Sequence, residues 1–298
     1  MGEAENWLRQ QLKQHYDEGE SIEMAAIVME HLTGQNRLQR VAQKEAHLQE
    51  QQLQLLHEIN QRLQKNEPVQ YILGEAYFGP LKLFVDTSVL IPRPETEELV
   101  RWVVEDVKAQ GKPVFQPNGN EADKTTLLKI LDVGTGSGCI ALLLKHLMPL
   151  AEVWGCDASD AALNIARRNG SELDIRVDFV PLDFLDAAQQ VQLPTVDIIV
   201  SNPPYIPFRD KETMQPNVVA HEPHLALFVP DNDALIFYKA LAQFGKERLY
   251  AGGAIYVEIH EALGAEVVAL FEKEEYKNVL IKKDMQGKDR MVKAEKLS

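Results

Sequence analysis

Ile130-Leu131-Asp132-Val133-Gly134-Thr135-Gly136-Ser137-Gly138 is the stretch that decides the fold. Its apolar start reads as a buried strand, its three glycines as a turn, and the apolar pattern over 141–147 as the helix that follows. A glycine turn between a strand and a helix lets a ligand approach the backbone closely near the helix N-terminus. The spacing argues against two common ligands. A dinucleotide fingerprint needs its third glycine three residues after the second, where this chain has Cys139, and no Lys-Ser or Lys-Thr pair follows to complete a phosphate-cradling loop.

Outward from this turn, strand-like runs at 128–133, 152–156, 175–180 and 197–200 alternate with helical patterns at 141–147 and 161–168. That alternation predicts an α/β fold with a parallel sheet covered by helices. Later strands are expected at 254–259, 279–283 and 289–292, with Gly287 turning the last two into a hairpin. Upstream, a helix is expected to begin at Pro94, with Glu95, Glu97 and Glu98 favourable against its N-terminal dipole, and to end before Gly111. The segment 111–124, rich in Pro, Gly and Asn, reads as an exposed loop.

Three regions follow from this reading. Residues 1–75 are expected to form a small helical domain, with Leu48, Leu55, Leu56, Ile59 and Leu63 at helical spacing. Residues 76–92, with Gly79-Pro80 between short strand-like runs, read as a β-hairpin linker, and 93–298 as the α/β domain. A chain of 298 residues, 45% apolar and 26% charged, is long enough for both domains. Its N-terminus has no basic region leading into an apolar stretch and no run is long enough to span a bilayer, so no membrane association and a cytoplasmic location are expected. Two cysteines, Cys139 and Cys156, are too few for a disulfide framework. A net charge of −14 without a basic patch disfavours direct nucleic-acid binding. The histidines show no zinc-ligand spacing and the serines no nucleophile elbow, so a metal and hydrolase chemistry are not expected.

Three positions add chemistry to the glycine turn. Asp157 ends the strand-like run at 152–156, where a carboxylate can accept from two ribose hydroxyls, so a nucleoside-containing cofactor fits. Asp183-Phe184 follows the next strand and offers a carboxylate and a ring face to a base. Asn202-Pro203-Pro204-Tyr205 follows the run 197–201. Its prolines end the strand rigidly and carry no N–H, so the local backbone presents bare acceptors, and the Asn202 amide adds another acceptor and two donors. Such a rim suits a planar –NH2 group.

The order Asp-Val-Gly-Thr-Gly-Ser-Gly, Cys-Asp and Asn-Pro-Pro-Tyr resembles the S-adenosyl-L-methionine-dependent class I methyltransferases. The segments 68–74 (PVQYILG), 90–97 (LIPRPETE) and 287–290 (GKDR) resemble, more narrowly, the methyltransferases that modify peptide chain release factors. The resemblance implies a Rossmann-like seven-stranded class I methyltransferase domain with a small N-terminal helical bundle that binds a partner. It implies S-adenosyl-L-methionine as cofactor, a release factor as protein partner, and methylation of N5 of the glutamine in its Gly-Gly-Gln motif. Carried over residue by residue, Gly134, Thr135, Gly136, Ser137 and Gly138 would contact the methionine part of the cofactor, Asp157 its ribose, and Asp183 and Phe184 its adenine. Asn202 would also border the cofactor. Asn202, Pro203, Pro204 and Tyr205 would hold the substrate glutamine, with Asn202, Pro203 and Tyr205 acting in catalysis. Arg93 and Glu222 match positions on the substrate side, where direct contact and a loop-bracing ion pair both stay open. Alternative acceptors are a ribosomal-protein glutamine or an exocyclic amine of nucleic acid, and a non-catalytic cofactor- or partner-binding module is the reading from a different class.

Overall fold

The computed structural model describes residues 1–111 and 127–297, which divide into two compact units. The first comprises Met1–Glu75 and Gln215–His221. Its helices are α1 (Gly2–Leu12), α2 (Glu18–Thr33), α3 (Arg37–Ala42), α4 (Glu50–Leu63) and α5 (Val69–Leu73). Local chemistry sets their ends. The Asp17 carboxylate caps α2 by accepting from the Glu20 amide at 2.8 Å, Gly34 ends it in the left-handed region at φ 65°, and Asn36 with Gln39 forms a capping box on α3. Leu8, Leu12, Val28, Met29, Leu56, Ile59 and Leu63 build the core. Leu55 departs from the expected stripe: it sits one position from Leu56 on α4, about 100° around the helix, and is 41% exposed.

The second unit comprises Ala76–Met214 and Glu222–Ser298. It opens with β1 (Ala76–Phe78) and β2 (Leu81–Leu83), paired antiparallel. This hairpin lies in the stretch 76–92 expected to join the two domains. Phe78, Leu81 and Leu83 are buried in one cluster with residues of helix α6 (Pro94–Ala109), so the hairpin belongs to the second unit's core. Burying such side chains contributes about 1.5–3 kcal/mol each. The remainder of the expected loop, 112–124, lies outside the described residues.

Next come β3 (Lys129–Val133), α7 (Cys139–Leu147), β4 (Glu152–Asp157), α8 (Asp160–Glu172), β5 (Asp178–Pro181) and β6 (Val196–Ser201). They are followed by β7 (Ile206–Pro207), α9 (Pro216–His221, grouped with the first unit), β8 (Phe228–Val229), α10 (Ile236–Arg248), β9 (Leu249–Glu258), α11 (Gly264–Lys273), β10 (Lys277–Lys283) and β11 (Asp289–Glu295). Among the described residues, seven strands form one sheet in the order β10-β11-β9-β6-β3-β4-β5. Strands β3, β4, β5, β6 and β9 are parallel; β11 and β10 add antiparallel, joined through the Gly287 turn at φ 82°. Alternate residues feed opposite faces, as strand geometry requires. Ile130, Val153, Ile198 and Val200 pack with α6 and α7, whereas Leu131, Val133, Ile199 and Val257 pack with α10 and α11. Strand β9 starts five residues before the expected 254, because α10 runs directly into it and Leu249 already pairs with Val196 ahead of a register shift. Among the described residues no helix is long and apolar enough to cross a membrane.

Candidate active site

In this sheet the chain passes from β3 to β4 on one side and returns to β6 on the other. Open α/β sheets bind ligands at such a switch point, outside the carboxyl ends of the strands. A cavity of about 250 Å³ lies there, lined by Gly134 and Gly136 after β3, Asp157 at the end of β4, Asp183 and Phe184 after β5, and Asn202, Pro203 and Pro204 after β6.

The glycine turn divides into residues that face the cavity and residues that hold the turn in place. Gly134 and Gly136 adopt φ of 73° and 54°, and a Cβ built on either meets nothing within 4 Å, so both leave open space beside bare backbone. Gly138, at φ 82°, is glycine for packing as well: its Cβ would stand 3.1 Å from side-chain carbons of Ala166 and Leu142. The Thr135 hydroxyl donates to Asp132 Oδ2 at 2.6 Å, and the amides of Gly134 and Thr135 both donate to the Cys156 carbonyl at 2.9 Å. Ser137 is buried, and its carbonyl accepts from Asn169 Nδ2, which in turn ties the turn to the Phe84 backbone. Of the five turn residues expected to contact a cofactor, Gly134 and Gly136 line the cavity, and Thr135, Ser137 and Gly138 stand directly beside them in the same turn. Their hydrogen bonds and packing shape the turn.

Asp132 is fully buried, and burial pushes its carboxyl up to about 7 against the Thr135 hydroxyl and the Ala141 amide, which favour its charged form. Its Oδ1 has no hydrogen-bond partner among the described residues. Asp157 accepts from the Gly136 amide at Oδ2 and from the Ser159 amide at Oδ1, both at 2.9 Å. Burial raises its carboxyl and those amides oppose the rise. Each oxygen keeps a second lone pair for a ligand hydroxyl. Phe184 is 5% exposed, with its ring edge-on to Phe244 at 5.2 Å, and Asp183 Oδ1 accepts from the Leu185 amide.

Across the cavity, Asn202 Nδ2 donates to Thr96 Oγ1 at 3.1 Å, and Thr96 Oγ1 donates to Glu258 Oε2 at 2.6 Å. The Tyr205 hydroxyl donates to Glu258 Oε1 at 3.3 Å, and the Tyr238 hydroxyl holds the Glu258 carbonyl at 3.0 Å. Glu258 is 2% exposed. Burial pushes its carboxyl up to about 7, opposed by Thr96, Arg290 and Tyr205 and assisted by Glu95. Tyr205 stands beside the cavity-lining Pro204, with its hydroxyl on Glu258 and its ring against the core and His260. Thr96 and Glu258 were not singled out in the sequence. The available signal was a carboxylate inside the apolar run Ala254-Ile255-Tyr256-Val257-Glu258-Ile259. Arg93 and Glu222 form an ion pair at 2.5 Å in which Glu222 is buried and Arg93 is the N-cap residue of α6.

A glycine turn after β3, a carboxylate ending β4 and an Asn-Pro-Pro-Tyr rim after β6 of a seven-stranded sheet define a methyltransferase of the Rossmann-like class. Residues 120–222 match the family described as "Methyltransferase small domain" and residues 3–74 the "PrmC N-terminal domain". The fold is shared with the N-terminal domain of human METTL16 in complex with SAH (TM-score 0.50, 19% identity, 74% of this chain and 77% of that one). Over nearly its full length the chain is similar to proteins named "Release factor glutamine methyltransferase": 39% identical to that of Flavobacterium psychrophilum over 95% of each chain, and 40% identical to that of Bacteroides thetaiotaomicron over 99% of each. The chain belongs to the release factor glutamine methyltransferase family.

Proposed function

We propose that the protein transfers a methyl group from S-adenosyl-L-methionine to the N5 amide nitrogen of the glutamine in the Gly-Gly-Gln motif of a peptide chain release factor. The observation that carries this reading is the shared cavity: the glycine cradle and Asp157 border it on one side and the Asn202-Pro203 rim on the other. The residues fit the cofactor. Gly134 and Gly136 leave room beside bare backbone, Asp157 offers acceptors for ribose hydroxyls, and Phe184 and Asp183 flank the place for a base. When bound, the cofactor supplies an electrophilic methyl group on a sulfonium sulfur.

An amide nitrogen is a poor nucleophile because its lone pair is delocalised into the carbonyl, so orientation is the main task of the protein. Asn202 gives its Nδ2 to Thr96, and Oδ1 meets no donor among the described residues. Oδ1 and the Pro203 carbonyl then accept the two hydrogens of the substrate amide. That fixes the nitrogen and stabilises the positive charge that develops on it. Holding two reactants in productive geometry supplies up to roughly 7–11 kcal/mol of barrier reduction. Tyr205 acts from behind the rim through Glu258. The helical unit is the partner-binding part of this reading, and residues 76–298 carry the chemistry.

Incubating the protein with labelled cofactor and a recombinant release factor tests the function. Label is expected on the release factor and is lost when the Gly-Gly-Gln glutamine is replaced; label that survives the replacement rejects the reading.

A further inference from the structure

Glu258 presents a problem of cost. Burying a carboxylate is unfavourable, and a neutral amide of the same shape would fill the space with a smaller desolvation penalty. What a carboxylate offers that an amide does not is polarity: when ionised it is acceptor-only at both oxygens. Each oxygen meets a hydroxyl from a different part of the chain, Thr96 on α6 at 2.6 Å and Tyr205 after β6 at 3.3 Å. The consequence passes along the network. With its single proton committed to Glu258 Oε2, the Thr96 hydroxyl has only lone pairs left for Asn202, so the group of Asn202 that faces it must be Nδ2, at 3.1 Å. An asparagine amide held by Nδ2 turns its Oδ1 the other way.

We propose that Glu258 is a positioning residue that fixes the polarity of the acceptor site: through Thr96 it holds the Asn202 amide with oxygen, rather than nitrogen, toward the substrate amide. The inference rests on the proposed reaction, in which Asn202 must accept from an –NH2 group. Reversing the Asn202 amide would present two donors to a substrate nitrogen that also carries donors, and the site would repel the group it is built to hold. Glu258 touches no reacting atom; it decides which way round the residue that does so is read.

Glu258→Gln tests this with little change of shape. The glutamine NH2 can donate to Thr96 Oγ1, which frees the threonine proton to seek Asn202 Oδ1 and lets the Asn202 amide turn over. We expect kcat for release-factor methylation to fall about 10- to 100-fold, the size of a lost hydrogen bond to a charged group. The melting temperature and the calorimetric affinity for the cofactor should stay close to wild type. Thr96→Val should reproduce the loss, and Thr96→Ser, which keeps the hydroxyl, should recover most of it. In the Asn202→Ala background Glu258→Gln should cost nothing further, because its effect travels through Asn202; a cost there as large as in the wild type overturns the proposal.

A readout independent of any substrate separates this inference from the reaction it serves. In protein labelled with 15N-asparagine, the Asn202 side-chain NH2, identified by its loss in Asn202→Ala, should exchange slowly with solvent in the wild type and fast in Glu258→Gln and Thr96→Val. Unchanged exchange in both variants overturns the positioning role even if the release factor is methylated. Wild-type protein that methylates no release factor, yet shows the expected exchange, rejects the reaction and keeps the role.

Discussion

Each wall of the cavity is backed by a fully buried carboxylate, and the two are used differently. Behind the glycine turn, Asp132 takes the Thr135 hydroxyl and the Ala141 amide, donors three and nine residues away, and its Oδ1 has no partner among the described residues. Behind the Asn202 rim, Glu258 engages Thr96 and Tyr205, 162 and 53 residues away, and has a donor on each oxygen. The wall proposed for the cofactor is local backbone geometry held in shape. The wall proposed for the acceptor is a chain of side-chain hydrogen bonds between distant elements, running from Glu258 through Thr96 to Asn202. The first wall is built to be a shape and the second to have a polarity.

That contrast sets the order of expected effects. The largest belongs to the acceptor wall: Asn202→Ala should lower the single-turnover methyl-transfer rate by roughly 10²–10³, as for removal of one group that stabilises developing charge. A rate near wild type would place the amide elsewhere. On the cofactor wall, Asp157→Ala should weaken cofactor binding by roughly 10- to 100-fold, the loss of hydrogen bonds to a charged group, while leaving kcat at saturation much closer to wild type. Titration calorimetry checks the affinity, and a fall confined to kcat would erase the difference between the walls.

The same contrast explains what was legible in the sequence. The glycine turn, Asp157 and the Asn-Pro-Pro-Tyr rim are each contiguous and positioned by strand ends, so residue type and spacing pointed to them, and Gly134, Gly136, Asp157, Asn202, Pro203 and Pro204 line one cavity. The sheet was legible for the same reason: strand and helix patterns alternate along the chain. Thr96 and Glu258 were not, because their meaning arises only when α6, β9 and the loop after β6 meet, and a single buried Glu in a strand has no sequence partner to declare its role. Nothing local in the hairpin reveals that Phe78, Leu81 and Leu83 share a core with α6, because that packing joins elements apart in the chain.

Smaller effects sharpen the comparison further. Thr135→Val removes a donor from buried Asp132, whose Oδ1 has none among the described residues, and should cost about 1–3 kcal/mol of stability, measured by denaturant unfolding. No loss of stability would mean that Asp132 does not depend on the hydroxyl. The pH dependence has opposite signs for fold and rate. Burial raises both Asp132 and Glu258 to about 7, so between the unfolded carboxyl range near pH 4 and that value the folded chain holds protons that the unfolded chain has released. Stability should therefore fall as pH rises through this window. The rate should rise over the same window, because only ionised Glu258 is acceptor-only. The groups that face it are Thr96 and Glu95 from α6, Cys139 from α7, Tyr205 after β6, Tyr238 from α10 and Arg290 from β11. In Glu258→Gln the rising limb of kcat should disappear while the Asp132 part of the stability slope remains; a limb that persists assigns it to another group.

The most direct test of the whole account is to locate the transferred methyl group. After incubation of the wild-type protein with cofactor and release factor, fragmentation mass spectrometry should find one added methyl group on the side-chain nitrogen of the Gly-Gly-Gln glutamine. A methyl group on another residue, or on nucleic acid with the release factor left unmodified, would contradict it.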